Sequence, residues 1–263
     1  MQNNTFLTLF VGQSLVKLPV VDSTNDYLKK LLSNTKPLDE GTVIMADHQF
    51  AGRGQQSNVW KAEKGKNLTI SILFKPTFLN LNHQFYLNKA ICLGINDCLR
   101  TIIGDSCKIK WPNDIYYNNE KLGGVLIENV AIGNKLKASI VGVGINVNQQ
   151  DFGPEAKRAT SLSKILQQDY PLNNLLKQLC KSIENRYLQL QRDELSSLDE
   201  DYLKRLFRLN EVYRYLIGSE IYNGSIKGVT KQGYLLLQTN DDLKTLDLKQ
   251  VAFMFDSEEN NSR

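Results

Sequence analysis

Residues 110–128, KWPNDIYYNNEKLGGVLIE, constrain the fold more than any other stretch of the chain. Pro112 and Asn113 break a strand and open a turn. Asn118 and Asn119 suit a tight hairpin turn, because Asn tolerates positive φ. Val125, Leu126 and Ile127 then form a short buried run. The pattern predicts a hairpin that presents a carboxylate, Asp114, and a cation, Lys121, beside Gly123 and Gly124. Glycines there let a ligand approach the backbone, and a lysine at such a strand mouth is a charge partner for a carboxylate or phosphate. The plainer alternative is a surface hairpin with solvated charges.

The rest of the chain narrows the chemistry. Its 263 residues hold one large domain, or a large one and a small one. A net charge of +4 permits an anionic ligand without arguing for nucleic acid. The four cysteines, Cys92, Cys98, Cys107 and Cys180, have no CxxC spacing. With His48 and His83 as the only histidines, neither a zinc site nor a Ser-His-Asp triad is expected. Scattered thiols in apolar surroundings read as core residues in a reducing compartment. No secretory signal and no run of membrane-spanning length is visible, so a cytoplasmic, non-membrane protein is expected.

Two further stretches stand beside the hairpin. Residues 15–21 read as a strand, followed by capping oxygens at Asp22, Ser23 and Thr24 and a helix through Asn34. Ser23, Thr24 and Asn25 thus sit at a strand-to-helix junction, where backbone N–H groups either receive a ligand or simply cap the helix. Residues 41–47 and 68–74 read as buried strands. Between them lies AGRGQQSNVWKAEKGKN, residues 51–67, too polar for core and too long for a hairpin turn. Its Gly-rich backbone and Arg53 suit closure over a phosphate-bearing ligand, and a mobile surface loop is the plain reading. Neither a P-loop nor a GxGxxG motif is present.

An amphipathic helix is predicted over 81–103, and a strand with Gly142 and Gly144 over 135–148. A short helix follows at 159–168, and 172–190 and 199–209 read as a solvated helical layer. From about Ile217, short β-like runs separated by turn residues predict a small antiparallel barrel, ending in a polar tail at 256–263. The expected domains are therefore 1–216 and 217–263.

Together, DSTN (residues 22–25), AGRG…W (51–60), KWPND…KLGGVLIE (110–128), GVGINVN (142–148) and the C-terminal β unit resemble the biotin protein ligases, or biotin–[acetyl-CoA carboxylase] ligases. The ordered set is specific where each motif alone is weak. The resemblance implies an α+β fold: a mixed β-sheet backed by helices, of the biotinyl-lipoyl ligase kind, followed by an SH3-like barrel. It implies that biotin and ATP, with Mg2+, give biotinyl-5′-AMP and pyrophosphate. The biotinyl group then passes to a lysine of a biotin carboxyl carrier domain. By motif, Ser23, Thr24, Asn25 and Gln49 would hold the biotin ring, with Gly124 and Gly142 letting strand backbone lie against it. Arg53, with Gly52, Gly54 and Gln55, would close on the carboxylate and α-phosphate. Trp60, Asn113, Asp114 and Asn146 would line the adenylate side. Arg53, Lys121 and Asp114 would carry the catalysis, with Asp114 the partner for magnesium, as metal ligand, or for the attacking lysine.

The chain departs from the family's GRGRxGRxW: Gln55, Ser57 and Asn58 replace an arginine, a glycine and an arginine. That removes two positive charges from a phosphate-closing loop, with Lys61, Lys64 and Lys66 as candidates to compensate. About twenty residues precede Asp22, too few for a helix-turn-helix domain, so no DNA binding is expected. The competing readings are a lipoate or octanoate ligase or transferase of the same fold, and a non-catalytic biotin-binding homologue.

Overall fold

A computed structural model describes residues 7–33, 37–156, 158–240 and 242–255. The tail predicted at 256–263 lies outside the described residues. Seven strands form one mixed sheet: β1 (Leu15–Leu18), β2 (Val43–Ala46), β3 (Leu68–Phe74), β4 (Cys107–Lys110), β5 (Asp114–Tyr117), β6 (Glu120–Ile132) and β7 (Lys135–Ile145). Their order is β1-β2-β3-β7-β6-β5-β4. The β1–β2 pair is parallel and the other neighbours are antiparallel. The β5–β6 turn places Asn118 at φ 51, in the left-handed region that Asn tolerates.

The strands' two-residue period gives the sheet two different faces. Ile70, Ile72, Val141, Val143 and Ile145 enter the main core with helix α2 (Phe85–Ile103). Helices α4 (Leu172–Gln191) and α5 (Leu195–Arg205) complete that layer, after the short α3 (Leu162–Leu166). α4 and α5 are not merely solvated, as their mixed charge suggested. α4 buries Leu175, Leu179, Ile183, Tyr187 and Leu190, and α5 buries Leu198 and Tyr202. Gly94 of α2 lets α4 approach closely, since a Cβ there would lie 2.6 Å from the Ile183 Cα. Buried Glu184 of α4 accepts the N–H groups of Leu9, Phe10 and Val11 at 2.7, 2.7 and 2.9 Å, tying the N-terminal segment to the helix layer.

The opposite face carries α1 (Thr24–Leu32), which packs Leu28 on Ile44, Leu73, Ala138 and Ile140. Ser23 is its N-cap, accepting from the Asp26 N–H.

The second sheet contains β8 (Val212–Ile217), β9 (Glu220–Val229), β10 (Leu235–Thr239), β11 (Leu243–Leu246) and β12 (Val251–Phe253), ordered β11-β10-β9-β8-β12. β8, which the sequence reading did not resolve, begins this sheet ahead of residue 217. The sheet is antiparallel, with β11 and β12 as its edges, and no ladder joins them among the described residues. It is therefore an open sheet rather than the closed barrel expected. Trp111 fastens it to the larger unit by donating its indole N–H to the Gly233 carbonyl at 2.8 Å.

Candidate active site

On the α1 face the apolar side chains give out beyond the end of the helix. The positions that follow Leu73 and Ile140 on that face are Ser71 and Thr69 of β3, and Gly142 and Gly144 of β7. A cavity of about 240 Å³ opens above them. Its wall includes Ser23, Thr24, Asn25, Gln49, Arg53, Gly54, Gln55, Trp60, Asn113, Asp114, Lys121, Gly124 and Gly142, so nearly every residue singled out from the sequence converges here.

One end is a network of oriented amides and hydroxyls. The Thr24 backbone N–H and hydroxyl both donate to Gln49 Oε1, at 2.7 and 2.9 Å. The Ser71 hydroxyl lies 2.7 Å from Thr24 Oγ1 and 2.6 Å from Asn25 Oδ1. The Asn25 amide nitrogen donates to Glu128 Oε2 at 2.9 Å. Every side chain is thus held by another, which fixes donors and acceptors for a ligand with matched polar edges. Gly142 is needed here, because a Cβ would lie 2.6 Å from Asn25 Oδ1.

The glycine-rich segment folds over this end. Trp60 donates its backbone N–H to the Gly52 carbonyl at 2.9 Å, and Gly54 donates to the Asn58 carbonyl at 2.6 Å. Trp60 lies against Gly144, where a Cβ would come within 2.5 Å of the indole. Its buried indole N–H has no partner among the described residues. Such a donor costs about 1–3 kcal/mol if left unpaired, so it favours an acceptor on a bound molecule. Arg53 Nη2 donates to Asp26 Oδ1 at 2.6 Å and to Glu128 Oε2 at 2.8 Å, clasping loop, helix and β6 together. Burial alone would raise the Glu128 carboxyl; the Asn25 amide and the Arg53 guanidinium outweigh it and hold it below its ordinary value.

The other end is charged. Lys121 Nζ lies 2.6 Å from Asp114 Oδ1. Asn113 is buried and its amide nitrogen donates to the Val125 carbonyl, setting the turn. Lys110 joins the wall beside Asp114, and Leu248 reaches it from the turn between β11 and β12. Burial pushes the Lys110 ammonium down, against the pull of Asp114. No group of three or more metal-ligating side chains occurs among the described residues.

Gly52 and Asn146 sit behind the wall. Asn146 donates its amide to the Thr160 carbonyl at 3.0 Å, holding the segment that pairs with Lys121. Lys61, Lys64 and Lys66 do not line the cavity; Lys61 is exposed and pairs with Glu155 at 2.7 Å. Sequence reasoning missed Ser71, Glu128, Lys110 and Leu248. The alternation of LTISILF would have found Ser71, whose face is the opposite of Ile70 and Ile72. Burial lifts the thiols of Cys98, Cys107 and Cys180 to about 12, and no cysteine lines the cavity among the described residues. No helix is long and apolar enough to cross a membrane among the described residues.

Comparison with known proteins agrees with this geometry. Residues 18–146 match the model of the biotin/lipoate A/B protein ligase family. The bifunctional ligase/repressor BirA of Bacillus subtilis is 33% identical over 91% of this chain and 74% of its own length. The biotin–[acetyl-CoA-carboxylase] ligase of Paracoccus denitrificans is 26% identical over 88% of this chain and 97% of its own. The biotin protein ligase of Aquifex aeolicus, solved with biotin and ATP, superposes with a TM-score of 0.75 at 29% identity, covering 92% of this chain and 98% of that one. From its fold, its cavity and these relatives, the chain belongs to the biotin/lipoate A/B protein ligase family, among the biotin protein ligases.

Proposed function

We propose that this protein is an ATP-dependent ligase that converts biotin to biotinyl-5′-AMP and passes the biotinyl group to a lysine of a biotin carboxyl carrier domain. The observation that carries the reading is one cavity joining a network of fixed amides and hydroxyls to a lysine–carboxylate pair. In the first step a biotin carboxylate oxygen attacks the α-phosphorus and pyrophosphate leaves. In the second the lysine amine attacks the acyl carbon, AMP leaves and the amine loses a proton.

Thr24, Asn25 and Gln49 would receive the biotin ring, with Ser23 capping the helix that carries Thr24 and Asn25. Lys121 would lie on the carboxylate and α-phosphate, offsetting charge as it builds at phosphorus. Arg53, with Gly52, Gly54 and Gln55, would close over them, and Trp60 and Asn113 would flank the adenylate, with Asn146 supporting from behind. Asp114 is the only carboxylate of the wall among the described residues, so a magnesium ion would arrive on the nucleotide's phosphates with Asp114 as its protein ligand. That ion would neutralise phosphate charge, and Asp114 would otherwise hold Lys121. Two working units are proposed, the seven-stranded unit and the C-terminal sheet, with β8 on the C-terminal side of the border. The site of action is proposed to be the cytoplasm. The repressor activity named for the Bacillus relative stays with that protein.

The test is transfer of labelled biotin to an isolated biotin carboxyl carrier domain with ATP and magnesium, beside a lipoyl domain given lipoate. Labelling of the first at its acceptor lysine is expected. Lipoate transfer instead would move the chain to the lipoate arm of the family, and no labelling of either would leave a binding protein.

A further inference from the structure

The cavity floor is a single register row across five strands. Lys110 of β4 pairs with Asp114 of β5, Asp114 with Gly124 of β6, Gly124 with Gly144 of β7, and Gly144 with Thr69 of β3. The row's centre is bare backbone and its β4 end is cationic. Asp114 already holds Lys121 at 2.6 Å. Arg53 is committed to Asp26 and Glu128. Lys110 has no carboxylate within ion-pairing distance among the described residues. Its Nζ rests instead 4.5 Å from the Phe253 ring centre and 5.4 Å from that of Tyr116. An ammonium held by ring faces in a cavity wall keeps its hydrogen-bond donors for an anion. Neighbouring strands lie about 4.8 Å apart, so Lys110 stands roughly 14 Å across the sheet from Gly144, the β7 member of its row, with Gly142 and the amide end beyond it on the same strand. That separation matches a ligand with a polar ring at one end and phosphate at the other.

We propose that Lys110 binds the diphosphate that leaves from the nucleotide, the β- and γ-phosphates of ATP before reaction and pyrophosphate after it. The assignment rests on the ligase reading above. It gives the C-terminal sheet a part in the site, because Phe253 of β12 forms the seat on which the ammonium lies. It also adds a cation to the wall of a cavity whose glycine-rich loop carries Gln55 and Asn58, a wall that Lys61, Lys64 and Lys66 do not join.

The test compares the full chain with Lys110→Met, which keeps the stem and removes the charge, and with Lys110→Arg, which keeps the charge. Calorimetry with inorganic pyrophosphate alone and with biotin alone is read beside biotin-dependent ATP–pyrophosphate exchange. Lys110→Met is expected to weaken pyrophosphate binding and raise the KM for ATP about tenfold to a hundredfold, the effect of losing a charge-assisted hydrogen bond. Biotin binding should change less than about twofold, and Lys110→Arg should recover most of the loss. Unchanged pyrophosphate binding in Lys110→Met overturns the proposal, and so does an equal loss for biotin, which marks a general disturbance of the wall. Lys110→Gln carries the same expectation if the Met variant folds poorly. Pyrophosphate binding that depends on Lys110 in a chain without exchange activity would uphold this site and sink the ligase reading.

Discussion

The same strands build both faces of the seven-stranded sheet, and the faces are chemically opposite. On β7, Val141, Val143 and Ile145 are buried against α2, while Gly142 and Gly144 between them form the cavity floor. On β3, Ile70 and Ile72 face the core while Thr69 and Ser71 face the cavity. One face is filled to exclude everything; the other is stripped of side chains to admit a ligand. Residue parity alone therefore sorts stability from binding, and a change of one position along a strand should move an effect from one to the other.

The sharpest contrast comes from Lys121→Ala and Ile145→Ala. Lys121→Ala should slow single-turnover adenylate formation about a hundredfold to a thousandfold, as when a transition-state donor is lost. Its denaturation midpoint should stay near that of the parent chain, because Lys121 is partly exposed and packs no core. Unchanged adenylation in that variant would remove Lys121 from the chemistry. Ile145→Ala should do the reverse. It opens a cavity in the main core and should cost about 2–5 kcal/mol in denaturant unfolding. Biotin affinity per folded molecule should hold. A large affinity loss there would break the division between the faces.

Gly142→Ala probes the boundary. Its added methyl would meet Asn25 Oδ1 at 2.6 Å, so the amide must turn and give up the Ser71 contact. Biotin affinity should fall roughly tenfold, about 1.4 kcal/mol, by calorimetry. Unfolding should shift less than in Ile145→Ala, because the methyl enters the cavity rather than the packed face.

The division also explains what could be read without coordinates. β3 and α2 show strong periods, and the structure places them close to the predicted ranges. The site motifs were legible because glycines, amides and paired charges are rare in buried strands. Contacts made by tertiary approach were not. Glu128 reads as the polar end of a strand, and only folding brings Arg53 to it across 75 positions and Asp26 to Arg53 across 27. Leu248, in the turn between β11 and β12, and Phe253 of β12, which touches Lys110, come from the C-terminal unit and carry no local signal. The mixed charge of α4 suggests a solvated helix, while its apolar stripe of Leu175, Leu179, Ile183, Tyr187 and Leu190 is what packs it into the core. β8 carries a weak signal because Arg214 interrupts a short run whose single fully buried side chain is Tyr215.

The smallest effect expected tests the clasp that joins the amide end to the loop. Glu128 accepts from Asn25 and Arg53 and lies 3.6 Å from Lys29. Its carboxyl is held below its ordinary value of 4.5. A depressed carboxyl contributes fully above that ordinary value, and its contribution is lost as pH falls through the depressed one. Biotin affinity should therefore be flat from neutrality down to the ordinary carboxylate range and weaken below it. The pair is partly exposed, so the change should be about twofold to fivefold, in keeping with 0.2–1 kcal/mol for such ion pairs. Glu128→Gln keeps an acceptor for Asn25 and removes the titrating charge. It should bind biotin at the weaker level throughout and show no acid limb of its own. If both proteins weaken in parallel, the limb belongs to another group, and Glu128 orders Asn25 through its shape rather than its charge.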